Sequence, residues 1–158
     1  NKTDVTDKYV DWMNDYEVVK FTEQRFYHHD KSKIKKFVIE KLLSENDFLF
    51  GIYSKNEHIG NIKIGPINWR YKNSEISYII GNKDFWNQGI ATKVICSILD
   101  FGFNQLKLYR ITAGYYENNL SSAKVLKKCG FKIEGYNYNE IIFEGKRYNL
   151  VRVAKIIK

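Results

Sequence analysis

The stretch Phe85–Val94, FWNQGIATKV, combines one glycine, Gly89, with the small Ala91, where a run of helical character opens. A helix start offers backbone N–H groups without intrahelical partners and about half a positive charge, so it can hold an anion with no basic side chain. Gly89 and Ala91 keep side chains away from consecutive N–H groups, as such a cradle requires. Alone, a Gly-x-Ala reads more readily as an ordinary helix opening. Two further stretches carry polar groups that could complete a site. Glu75, in SEISYIIG, is a carboxylate on a β-rich run just ahead of the glycine turn. NNLSSAKVLKKCGF has a helix-capping residue, Asn119, followed by Ser122, and ends on Gly130 as a left-handed cap.

The elements that must position these groups are read from the hydrophobic period. The first third is helical in pattern. Asp7 is placed as the cap of KYVDWMND, and DKSKIKKFVIEKLLSE sets Ile34, Phe37, Val38, Lys41 and Leu42 at helical spacing. Between them VVKFTEQRFYHHD is irregular and rich in rings; its His28 and His29 read as solvent-facing or hydrogen-bonded loop residues. DFLFGIYSKNEHIGNIKIGPIN then reads as two β-rich runs joined at SKNE, a hairpin signal, and Ser74–Gly81 as a third strand. GIATKVICSILDFGFNQ carries Ile90, Val94 and Ile98 on one row and Ala91, Ile95 and Leu99 on the next, the double stripe of a helix lying along a sheet. Leu108–Tyr116 is a strand, Asn119 opens a short helix, and two strands flanking EGK close the chain as a hairpin. The order predicts a mixed α/β fold, one layer of sheet with helices on its faces.

The chain of 158 residues fits a single domain, 1–158, and its 44% hydrophobic and 28% charged residues are an ordinary globular balance. A net charge of +8 suits an anionic partner. The cations are scattered, however, and the densest run, KSKIKK, reads as the solvated face of a helix, so no nucleic-acid partner is expected. Cys96 and Cys129 lie in apolar settings without metal-ligand spacing; they are expected to be buried free thiols in a reducing, cytoplasmic compartment, with no metal bound. No apolar run approaches the roughly 18 residues of a membrane span.

Taken in order, the three motifs resemble the GCN5-related N-acetyltransferase (GNAT) superfamily, and within it the RimJ/RimL-like branch. The matching residues are Glu75-Ile76, then Trp86-Asn87-Gln88-Gly89-Ile90-Ala91, then Asn119 through Phe131. The resemblance covers about the last two thirds of the chain well and the first third loosely. It implies a single central, mostly antiparallel twisted sheet of six to seven strands, splayed between the fourth and fifth, with helices on both faces. The implied co-substrate is acetyl-CoA. Its pyrophosphate would lie in the turn Asn87–Thr92, thus on Asn87, Gln88, Gly89, Ile90, Ala91 and Thr92. Its pantetheine arm would pair with the backbone of Ile79, Ile80 and Gly81, and a backbone N–H near Ile79 or Ile80 would reach the thioester oxygen. Asn119 would cap its helix and touch the cofactor's amides.

Acetyl transfer to an amine needs a deprotonated nitrogen and a proton for the leaving thiolate. Glu75 is the candidate base, acting through a water, with an ion pair to a nearby Lys as the alternative. Many relatives carry a tyrosine acid where this chain has Leu126. Ser122 is the candidate substitute; helix capping or a contact to the pantetheine is its alternative. Trp86 stands where arginine or glutamine is commoner. The family usually opens with a strand of apolar-Arg-apolar pattern, and NKTDVTD has none, so that strand is expected to be missing or very short. The aromatic first third, His28 and His29 included, would border the acceptor site. The expected acceptor is a small-molecule amine, foremost a nucleotide-linked amino sugar. The alternatives are a protein N-terminal α-amine, a polyamine or aminoglycoside, or a module that binds acyl-CoA without turnover. A homodimer is left as an option.

Overall fold

The computed structural model describes residues 5–157. Residues 1–4, on which most of the first-strand expectation falls, lie outside the described residues. The chain divides into two compact units, Asn1–Pro66 with Ser77–Ile90, and Ile67–Ile76 with Ala91–Lys158.

In the first unit, helices α1 (Asp7–Asn14), α2 (Tyr16–Val19) and α3 (Lys31–Leu43) accompany the hairpin of β1 (Phe48–Ser54) and β2 (Glu57–Ile64). Thr6, rather than Asp7, caps α1, its hydroxyl accepting from Tyr9 N at 3.3 Å. Asp7 instead occupies the first turn, where its charge complements the helix dipole, and pairs with Lys31 Nζ at 2.8 Å. Asp30 caps α3 through Lys33 N. Of the apolar residues expected on that helix, Ile34 and Val38 are buried, whereas Phe37 and Leu42 stay exposed. Val5, Tyr9, Trp12, Ile34 and Val38 form the core cluster. The stretch read as irregular takes in the end of α2 and a short 3₁₀ turn at Glu23–Phe26. The hairpin turns on Lys55 and Asn56, with φ of 48° and 65°, the paired left-handed conformation that matches strand twist.

Asp47, just before β1, is buried and accepts from Lys41 Nζ at 3.1 Å, Ser44 Oγ at 3.0 Å and Lys63 Nζ at 3.3 Å. Burial alone would raise this carboxyl; the hydrogen bonds from Lys41, Ser44 and Lys63 outweigh it and hold it below its ordinary value of 3.8. A carboxyl lowered by folding contributes stability above its unfolded value and loses it as the pH falls through the lower folded one. Asp47→Asn should therefore cost about 2 kcal/mol at pH 7, since it leaves two partly buried ammonium groups without their anion. Urea unfolding at pH 7 and at pH 3 should show a larger acid-induced loss for the parent than for Asp47→Asn; equal losses would dismiss Asp47 as a source of acid sensitivity.

The second unit holds α4 up to Asp100, a π-helical turn at Phe101–Gln105, β4 (Arg110–Tyr116), α5 (Leu120–Lys128), β5 (Lys132–Phe143) and β6 (Lys146–Ile156). Helix α4 (Ile90–Asp100) starts at the unit boundary. Its buried positions are Ile95, Ile98 and Leu99. The expected pair of buried thiols is corrected here: Cys129 is buried, but Cys96 is exposed. Their sulfurs lie 3.8 Å apart, and burial, helped by the neighbouring Cys96, pushes the Cys129 thiol up to about 12. Gly130, at φ +85°, ends α5 as expected.

The strand order is β1-β2-β3-β4-β6-β5, with β3 at Asn73–Ile80. The β1/β2, β4/β6 and β5/β6 pairs are antiparallel, and β3/β4 is parallel. The β3/β4 register runs from Asn73↔Arg110 to Glu75↔Thr112 and stops there. These are the strands at which a splay was expected, and the mixed six-stranded sheet agrees with the predicted fold class. No helix among the described residues is long and apolar enough to cross a membrane.

Candidate active site

The glycine turn is held from its own side. After β3 ends, Asn82 caps a short 3₁₀ turn at Lys83–Phe85 by accepting from Asp84 N at 3.0 Å. Trp86 Nε1 donates to the carbonyl of Ile80 at 2.8 Å, tying the turn to the end of β3. Gln88 Nε2 donates to Asp84 O at 2.6 Å. Asn87 and Gly89 both take left-handed backbone, at φ 59° and 74°, and α4 follows at Ile90. Unlike α1, α3 and α5, which are capped by Thr6, Asp30 and Asn119, α4 starts on a residue with no side chain. A Cβ added at Gly89 would meet no atom within 4 Å and would project into open space ahead of the first turn. Open space at a helix start with no side-chain cap is what an anion held by main-chain N–H groups requires.

The expected site residues divide between the units: Ile79, Ile80, Gly81, Asn87, Gln88, Gly89 and Ile90 in the first, Glu75, Ala91, Thr92, Asn119 and Ser122 in the second. At the strand edge, Gly81 N donates to Ile59 O at 2.8 Å, and Ile80 O accepts from Trp86. The backbone donor for an extended ligand arm is therefore to be sought at Ile79 or Ile80, not at Gly81. Gly81 serves a different purpose: a Cβ there would stand 2.2 Å from the Trp12 ring, so its bareness lets β3 end against α1.

In the second unit, Glu75 Oε1 lies 3.2 Å from Arg152 Nη1. The ion-pair partner is thus an arginine rather than the expected lysine. Arg152 was missed in the sequence, although it is a lone cation between the buried Val151 and Val153 of β6. Gly114, opposite it in register, leaves the room it needs, since a Cβ there would come within 3.2 Å of Arg152 Nη1. Asn119 accepts from Ser122 N at 3.1 Å, so it caps α5 as expected. Leu126, at the place of the usual tyrosine, is buried in the core.

A cavity of 610 Å³ lies within the first unit, beside the second half of β3, in the size range of small-molecule sites. Rings of Tyr9, Phe26, Tyr27, Phe37 and Tyr78 line it, together with His28, His29, Lys33 and Lys63. Among the described residues lining it there is no carboxylate. The histidine loop is pinned to the end of α1: Asn14 Nδ2 donates to His29 O at 2.7 Å, and His29 N to Asn14 Oδ1 at 2.9 Å. Of the rings weighed for an acceptor pocket, Phe26 lines this cavity, Trp12 belongs to the core, and Trp69 and Tyr71 are exposed in the other unit. No group of three or more His, Cys, Asp or Glu among the described residues could hold a metal ion.

The family model described as an acetyltransferase (GNAT) domain matches residues 1–132, and the chain belongs to that family. The probable N-acetyltransferase YjcK of Bacillus subtilis (strain 168) is 31% identical over 109 residues, covering 67% of this chain and 60% of that protein. Spermidine N(1)-acetyltransferase of Escherichia coli (strain K12) is 26% identical over 126 residues, covering 80% of this chain and 60% of that protein. The chain thus spans 60% of the length of these two curated relatives. Among solved structures, spermidine N-acetyltransferase from Vibrio cholerae in complex with CoA and spermine is similar at a TM-score of 0.87 and 19% identity, over 99% of this chain and 91% of that one. At that identity the likeness speaks to the fold.

Proposed function

We propose that the protein is an N-acetyltransferase that moves the acetyl group of acetyl-CoA directly to a primary amine. Membership of the GNAT family supports the reaction class, and the capless, left-handed start of α4 supports the cofactor. In this reading the Asn87–Thr92 backbone holds the pyrophosphate, with Ala91 and Thr92 presenting first-turn N–H groups. A backbone N–H of Ile79 or Ile80 steadies the thioester oxygen as charge develops on it. Acetyl-CoA supplies the activated carbonyl: the carbon–sulfur bond breaks as the nitrogen–carbon bond forms. Glu75 takes the amine proton through a water. The departing thiolate takes a proton from Ser122 or from solvent, which is adequate for a thiol near pKa 8.5.

The acceptor is read from one observation, the ring-lined cavity with His28, His29, Lys33 and Lys63 and no carboxylate on its described wall. Such a wall suits an aromatic, anionic acceptor such as a nucleotide-linked amino sugar, whose base can stack and whose diphosphate favours cations. The Escherichia coli relative, a spermidine N(1)-acetyltransferase, favours a second reading, a polyamine acceptor. A polycation would meet Lys33 and find no described carboxylate on the wall to receive it, Lys63 being already paired with Asp47. Thiol release from acetyl-CoA over a panel of amines decides between them. A nucleotide-linked amino sugar should give the highest kcat/KM, at least about tenfold above spermidine. Preference for spermidine would overturn the acceptor reading, and tight CoA binding with no release on any amine would overturn the reaction.

A further inference from the structure

Two nucleophilic side chains with no part in the acetyl transfer proposed above meet in the second unit, Cys96 of α4 and Cys129 at the C-terminal cap of α5. Cys96 Sγ lies 3.8 Å from Cys129 Sγ, so a sulfur–sulfur bond of about 2 Å requires each to move by about 1 Å. The two differ in access. Cys96 is exposed, whereas Cys129 is 2% exposed and donates to Thr92 O at 3.6 Å. Free cysteine is ordinarily a buried packing residue, so packing does not explain an exposed one resting on a second thiol. A bulky reagent meets Cys96 first, and Cys129 is reached by the sulfur beside it. Lys155 of β6 donates from Nζ to the Cys129 carbonyl at 2.8 Å, which brings an ammonium to this corner. Burial raises the Cys129 thiol, the adjoining Cys96 raises it further, and Lys155 pulls it down. The Cys96 share vanishes once Cys96 carries a disulfide, since it then has neither a thiol to bond nor a charge to repel. The second thiol is thus eased toward its reactive form when the first has been used.

We propose that Cys96 and Cys129 form a redox modification site, which takes a low-molecular-weight disulfide as oxidant and closes to an intramolecular disulfide joining α4 to the end of α5. Cys96 is the attacking thiol and Cys129 the resolving one. In the first step the Cys96 thiolate bonds to one sulfur of the small disulfide RSSR; the S–S bond breaks, and one RS⁻ leaves and takes up a proton. In the second, the Cys129 sulfur, its proton released to solvent, bonds to Cys96 Sγ and expels the other RS⁻, which is protonated in turn. The two protein thiols together lose two electrons and two protons, and the small disulfide gains them as two thiols. The new bond replaces the weak S–H contact to Thr92 and ties the helix that opens at the glycine turn to the helix capped by Asn119. The assignment is independent of the acceptor and stands whether or not the chain transfers acetyl groups.

Incubation of the native chain with glutathione disulfide, read by intact mass and by counting free thiols, tests the site. The parent should lose both thiols and become two hydrogens lighter with no glutathione attached, and dithiothreitol should restore it. Cys129→Ala should stop at one glutathione on Cys96. Cys96→Ser should react at least about a hundredfold more slowly than the parent, because its remaining thiol is buried. Oxidation of the parent closes a loop of roughly 30 residues and should raise the midpoint of thermal unfolding by about 5 °C or more, an increase that neither variant shows. Thermal unfolding also identifies a variant that has lost its fold; if Cys129→Ala is such a one, the parent and Cys96→Ser carry the decision. A parent that stays reduced, keeps glutathione on Cys96, or joins a second copy through Cys96 would overturn the inference. So would a Cys96→Ser variant modified as fast as the parent, or an oxidised midpoint no higher than the reduced one.

Discussion

Gly89→Val is expected to weaken CoA binding by about a hundredfold or more while the protein keeps its fold. The fold survives because a Cβ at this position touches nothing within 4 Å. What remains is conformational. A β-branched residue held at φ 74° costs about 1–2 kcal/mol, a fraction of the stability of an ordinary domain. On the proposed function binding suffers far more, because added bulk at the start of α4 would compete with a phosphate for the first N–H groups of the helix. Losing two charge-assisted hydrogen bonds of about 1.5 kcal/mol each corresponds to roughly a hundredfold in affinity. Gly89→Ala separates strain from obstruction: it carries much of the backbone cost with one methyl and should fall between parent and valine. Calorimetry with CoA and thermal unfolding supply both readings. If all three proteins bind CoA alike, the turn is a helix start and nothing more.

The second large effect is on rate. Glu75→Gln should lower kcat by about a hundredfold with CoA affinity unchanged, the usual scale for removing a general base. The same substitution breaks the ion pair with Arg152, but with side chains 41% and 38% exposed that pair contributes little to stability, under about 1 kcal/mol. Rate and stability therefore come apart. Arg152→Gln provides the control, since it removes the same ion pair and keeps the carboxylate. It should match Glu75→Gln in unfolding and exceed it at least tenfold in kcat. Equal activities in the two variants would reduce Glu75 to a strand-pairing residue.

The features legible in the sequence are those fixed within a few neighbouring residues. SKNE announced a hairpin because Asn56 accepts the left-handed turn, and EGK did the same through Gly145 at φ 74°. Asn119 and Gly130 delimit α5 by capping rules that act over a single turn. The end of α4 was less legible, because the stripe continues through Phe101–Gln105 while the backbone widens there to a π-helical turn. Features that depend on register across strands were not legible at all. Arg152 reaches Glu75 only because β6 places it opposite Gly114. Asn61 faces His58 only because a bulge at Ile59 reverses the alternation. The choice of Thr6 over Asp7 as cap shows the same limit at close range, since both are good capping residues and Asp7 has another partner in Lys31.

A cradle made of main chain has a particular bearing on how such a protein can diverge. On the proposed function, the groups offered to a phosphate at Ile90, Ala91 and Thr92 are peptide N–H groups, which every residue but proline possesses. Point substitutions there leave the donors in place unless they add bulk, as at Gly89, or remove the N–H. The cavity proposed for the acceptor is the reverse case, since its rings, lysines and amide are all side chains on α1, α3, β2, β3 and the histidine loop. On the proposed function, mutation can therefore rewrite what is acetylated while the proposed donor site persists almost unaltered.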